Sequence, residues 1–110
     1  MTVNERRGLF LMETYVILRR NGWRDGADLG AAAERSTLEG EKASEEIRWI
    51  RSYVIAEPDG TLGTVCIYQA TSPEAILRHA AAADLPATEI IAVSDTVIVR
   101  PDPVPAAIAS

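Results

Sequence analysis

The run Val65-Cys66-Ile67-Tyr68-Gln69-Ala70-Thr71-Ser72-Pro73-Glu74, continued by Ala75-Ile76-Leu77-Arg78-His79-Ala80, decides the fold. Residues 61–70 mix β-branched and aromatic groups and carry apolar side chains on both parities, the pattern of a strand covered on both faces. Thr71 to Glu74 then supply helix-start signals in two overlapping registers, a Thr-x-x-Glu capping box and Ser72 ahead of Pro73. The helix that follows places Ile76, Ala80 and Ala83 on one stripe with Leu77 flanking, and Leu85-Pro86 ends it.

Working outward, Tyr15-Val16-Ile17-Leu18 within residues 13–19 marks a first strand, again apolar on both parities. Asn21-Gly22-Trp23-Arg24-Asp25-Gly26 breaks that pattern, and Asp25 or Asp28 caps a helix running to about residue 41. Its buried stripe is expected to be Leu29, Ala32, Ala33, Ser36 and Thr37, small groups that let a helix lie close to a sheet. Residues 47–56 form a second strand, with Ile47, Trp49, Arg51, Tyr53 and Ile55 on one parity. Glu57-Pro58-Asp59-Gly60 is a turn, because proline presets φ and Asp-Gly accepts the positive φ that follows. Residues 88–99 supply the fourth strand, with a break at Ser94-Asp95. The order β-α-β-β-α-β predicts an α+β, ferredoxin-like domain over residues 12–100: a four-stranded antiparallel sheet with both helices on one face. Residues 1–11 are expected to be an N-terminal arm and residues 101–110 a flexible, proline-rich tail. Strands apolar on both parities need cover on the helix-free face as well, so a homodimer closed by a two-fold axis is expected.

Composition narrows the function. At 110 residues the chain is one domain, and its net charge of −5 is the wrong sign for a phosphate-backbone partner, so nucleic acid is not expected. The single cysteine, Cys66, makes no intramolecular disulfide and points to a reducing, cytoplasmic setting. Charges interrupt every apolar run, so no membrane span is expected, and the apolar stretch near the start is too short for a secretory leader. Glu39, Glu41, Glu45 and Glu46 around Lys42 read as a solvated helix end.

Few residues carry chemistry. His79, the single histidine, is a candidate donor to nickel or zinc, with Cys66, Gln69 or the partner subunit supplying further ligands. Tyr15, Arg19, Trp49, Arg51, Tyr53, Tyr68 and Gln69 are candidates to line a pocket on the open sheet face, where aromatic walls and a guanidinium suit a small organic anion. No residue is assigned a catalytic role: Cys66 and His79 lack a third group to orient the imidazole. The glycines lack phosphate-loop spacing.

Several short motifs in order carry a family resemblance: Met12-x-x-Tyr15-Val16-Ile17-x-Arg19, Trp49-Ile50-x-Ser52-Tyr53-Val54, Cys66-Ile67-Tyr68-x-Ala70, and Arg78-His79-Ala80 followed by Leu85-Pro86-Ala87 and Ile90. Over residues 12–99 the chain resembles a family of small ferredoxin-like proteins, long catalogued as a domain of unknown function, that includes a nickel-binding homodimer. The resemblance implies a nickel- or small-ligand-binding homodimer, with His79 and then Cys66 as metal donors. It also marks departures, because Leu18, Arg51 and Gln69 stand where many members carry carboxylate or imidazole groups. Two other expectations stay open. One is an enzyme of the dimeric α/β-barrel kind, an isomerase or cofactor-free monooxygenase acting on a small organic acid, with Arg51 and Tyr53 holding the anion and His79 moving the proton. The other is an interaction module without a site.

Overall fold

The computed structural model describes residues 12–104. Its elements are β1 (Glu13–Trp23), α1 (Gly26–Lys42), β2 (Ile47–Ala56), β3 (Leu62–Ala70), α2 (Pro73–Ala82) and β4 (Glu89–Ala92). The strands form one sheet in the order β2-β3-β1-β4, each neighbouring pair antiparallel. Inserting β3 between β1 and β2 makes β1-α1-β2 a split crossover, which is the expected ferredoxin-like plan. Tyr15 and Ile17 of β1, Ile47 of β2, Cys66, Tyr68 and Ala70 of β3, and Ile76 of α2 form the core between sheet and helices. The alternate residues Val16, Leu18, Val65 and Ile67 lie on the helix-free face and are half-buried.

Local chemistry sets the helix ends. Asp25, in extended backbone, accepts a hydrogen bond from the Asp28 amide and starts α1. Ser72 does the same for Ala75 at 3.1 Å, with Pro73 at the first helical position. Asp84 turns α2 off with a φ of 55°, and the Leu85 amide reaches back to the Ala80 carbonyl at 2.8 Å, closing the last carbonyls as a Schellman turn does.

Three features differ from the sequence expectation. β1 does not end near Arg19; it continues to Trp23 through an irregularity in which Asn21 takes a φ of 52°. That conformation is held by Glu57, expected only as part of a turn: its buried carboxylate accepts from the Asn21 amide at 2.6 Å and pairs with Arg20 at 2.8 Å. β4 is shorter than expected, because Tyr15 pairs with Ala92 and Val93 bonds to the Thr14 carbonyl, after which β1 has almost no backbone left to pair. The third difference is a β-bulge in β2. Trp49 opposes Tyr68 and Arg51 opposes Ile67, leaving Ile50 as an extra residue, so the parity of β2 inverts there. Ile47 and Trp49 share the helix face with Ser52 and Val54, whereas Arg51 and Tyr53 turn to the opposite face.

The expected N-terminal arm lies outside the described residues. Of the expected tail, residues 101–104 are described, and Asp102 is tied down: its carboxylate accepts from Arg51 at 2.9 Å and from the Tyr53 hydroxyl at 2.8 Å. β4 and β2 are opposite edges of the sheet, so the chain after β4 returns to the open-face side of the far edge strand. Val97, Ile98 and Val99 make that passage with their side chains mostly in solvent.

Candidate functional site

The small residues of α1 do not close the helix onto the sheet. Leu29, Ala32, Ala33 and Ser36 face Trp49, Ser52, Val54, Thr64, Cys66 and Tyr68 across a cavity of about 430 Å³, with Trp23 and Leu85 at one end and Arg19 among the lining. That volume falls within the roughly 300–1,000 Å³ of small-molecule sites. Among the described residues no aspartate or glutamate lines it.

Arg19 comes from the middle of β1, where register with Thr64 turns its side chain inward, and it is 1 % exposed. Nη1 donates to the Pro86 carbonyl, the guanidinium carbon lies 5.9 Å from the Tyr68 ring centroid, and Nη2 is buried with no hydrogen-bond partner among the described residues. Tyr68 stacks parallel to Trp49 with centroids 6.1 Å apart, and its hydroxyl shares a 3.2 Å hydrogen bond with the Ser36 hydroxyl. Burial pushes the Tyr68 phenol up from its ordinary value of 10.0, so it stays protonated. Trp49 is 42 % exposed and its indole N–H donates to Ser52 at 2.8 Å, which sets the ring at the cavity rim.

His79 lies in α2, buried, and lines a neighbouring cavity of about 330 Å³ that shares Ser36, Trp49 and Tyr68 with the first. Its Nε2 meets the Ser36 carbonyl at 3.0 Å and therefore carries the proton there; Nδ1 is buried without a partner. Cys66 lines the first cavity and its thiol donates to the Thr64 hydroxyl at 3.2 Å.

The residues expected on the open face are therefore divided. Arg19, Trp49 and Tyr68 meet at the cavity beneath α1, and Tyr15 is on the same face but in the core. Arg51 contributes to the lining of that cavity as well, but its Nη1, with the Tyr53 hydroxyl, holds Asp102 on the other side of the sheet, and Gln69 accepts from Arg48 there at 3.2 Å. The enclosed space is under the helix and not on the open face, because the bulge at Ile50 separates Trp49 from Arg51 and Tyr53. Nothing local in the sequence marks Arg20 and Glu57, because the buried Glu57 carboxylate and the half-exposed Arg20 that pairs with it are 37 residues apart.

The family model of the nickel responsive protein SCO4226-like family matches residues 15–93. The chain belongs to that family. The crystal structure of SCO4226 from Streptomyces coelicolor A3(2) is similar, with a TM-score of 0.60 at 19 % identity over 76 % of this chain and 99 % of that one, so the two share a fold. No curated protein matches the chain.

For an SCO4226-like protein, a metal centre is the natural question. Among the described residues no three histidine, cysteine, aspartate or glutamate side chains are grouped to hold a metal ion. His79 and Cys66 line separate cavities, with Nε2 engaged by Ser36 and the thiol by Thr64. The described residues of the chain thus do not fit a nickel centre, which needs several nitrogen, sulfur or oxygen donors converging on one point. Among the described residues no helix is long and apolar enough to cross a membrane.

Proposed function

We propose that this SCO4226-like chain is a cytoplasmic, small-ligand-binding homodimer and not a turnover enzyme, and that its ligand enters the cavity between α1 and the sheet. The cavity itself carries the reading: it is lined by aromatic and aliphatic groups with a few hydroxyls and the two arginines Arg19 and Arg51, the composition of a small-molecule site. Cys66 has no base beside it in that cavity, and neither an imidazole nor a carboxylate lines it, so the lining offers recognition and no acid–base pair. The homodimer rests on the apolar residues of the helix-free face together with exposed Val97, Ile98 and Val99. A second copy would cover both.

The nickel response in the family's name enters as a competing arm of the test. Chelator-stripped protein is melted alone, with nickel, and with a set of small aromatic and aliphatic solutes, while native mass spectrometry counts what each subunit carries. A raised melting temperature with a subset of the organic solutes, and one molecule per subunit, is expected. Whole-number nickel uptake, combined with a melting temperature indifferent to every organic solute, would replace the proposal with a metal-binding one.

A further inference from the structure

Among the described residues, Arg19 is a buried cation without an anion. Among the described residues no carboxylate forms an ion pair with it, one carbonyl occupies Nη1, and Nη2 has no acceptor. Buried guanidinium groups are normally paired and fully hydrogen-bonded, because an uncompensated charge in a low-dielectric interior is destabilising. Here the missing acceptor coincides with a cavity: Arg19 is part of the lining, no acidic residue is, and Trp23, Leu29, Trp49, Val54 and Leu85 make most of the wall apolar.

We infer that the ligand is a small carboxylic acid with an aromatic or branched apolar body, bound with its carboxylate on Nη2 of Arg19 and its body against Trp49 and Leu29. This deepens the proposed function and rests on the cavity being a ligand site. A carboxylate supplies both what the guanidinium lacks, a counter-charge and an acceptor, and charge-assisted hydrogen bonds of this kind are among the stronger ones. Nη2 is screened from water, so the acid would reach it by displacing rim side chains, of which Trp49, Ile50 and Val54 are the exposed ones.

The chain contains two tryptophans, Trp23 and Trp49, and both line this cavity, so intrinsic fluorescence reads the site directly. The full chain is titrated with benzoate, with cyclohexanecarboxylate, and with benzamide, which matches benzoate in shape but carries no charge. Saturable changes in emission with the two acids, at least about tenfold tighter than with benzamide, are expected, since losing a charged partner of arginine weakens binding by about 1.4 kcal/mol or more. The Arg19→Met variant should lose the preference for the acids. Ala33→Leu, which fills the cavity and leaves Arg19 intact, should weaken all three probes. Benzamide binding as tightly as benzoate would overturn the assignment of an acid while leaving the cavity a ligand site. No saturable change with any probe would overturn both. The comparison of probes on unmodified protein decides the matter even where Arg19→Met fails to fold.

Discussion

Glu57 and Gly63 show how closely β1 is fitted to its neighbours. A Cβ on Gly63 would lie 2.7 Å from the Arg19 carbonyl oxygen and 2.7 Å from a Glu57 carboxylate oxygen, so alanine there must push apart two strands. Gly63→Ala is expected to cost roughly 1–3 kcal/mol in urea unfolding, the usual range for overpacking. The Arg20 hydrogen bonds hold the Glu57 carboxyl below its ordinary 4.5, helped by the Asn21 amide and opposed by desolvation. A depressed pKa contributes stability that is present above the unfolded-state value near 4.5 and is lost as pH falls through the lower folded-state value. Glu57→Gln should therefore melt lower than wild type at pH 7, with the gap narrowing steadily below pH 4.5, as a melting series across that window would record. A gap that stayed constant down to acid pH would mean that Glu57 acts through shape and not charge. None of this is legible from Glu57-Pro58-Asp59-Gly60, which reads as a turn and is one: the Gly60 amide bonds to the Glu57 carbonyl at 3.0 Å. The pairing with Arg20 needs the sheet to bring residues 20 and 57 together.

At the level of elements, local signals and long-range pairing part company. Ser72, Pro73 and Asp25 act where the sequence places them, because a cap needs only a side-chain oxygen two or three residues before an orphan amide. Replacing Ser72 by alanine should lower stability by about 1 kcal/mol, measured by urea unfolding, while leaving the strands' amide protection unchanged. Strand periodicity was a weaker guide. It located β2 but assigned Trp49, Arg51 and Tyr53 to one face, and the bulge at Ile50 places them on two. A bulge is a property of the pair: β3 supplies one residue where β2 supplies two, and reading β2 alone cannot reveal it. The pocket accordingly lies under α1 and not on the open face. Leu29, Ala32, Ala33 and Ser36 are on the inner side of α1 as expected, but Thr37 is exposed and bonds back to the Ala33 carbonyl. The small stripe leaves a cavity because bulky partners opposite, Trp49 and Tyr68, hold the helix off.

For the molecule as a whole, the open sheet face carries apolar residues that no helix covers. Val16, Leu18, Val65 and Ile67 are only half-buried, and Val97, Ile98 and Val99 are each at least 78 % exposed. If two copies share these surfaces, light scattering at tens of micromolar should give twice the chain mass, and the melting temperature should rise with protein concentration. Ile67→Lys, a charge on that face away from the core, should yield a monomer that still binds the cavity's ligand; a monomeric wild type would remove the dimer. What the sequence determined by itself was the order of elements, their caps and the family, since each depends on neighbours a few residues apart or on motifs in series. What only the tertiary structure decided was the face each β2 side chain occupies, the burial of Glu57, the return of Asp102 to Arg51 and Tyr53, and the isolation of Arg19 beside a cavity. The physical reason is common to all four: each depends on groups far apart in the chain, whose meeting is set by strand register and helix standoff and leaves no mark on local sequence.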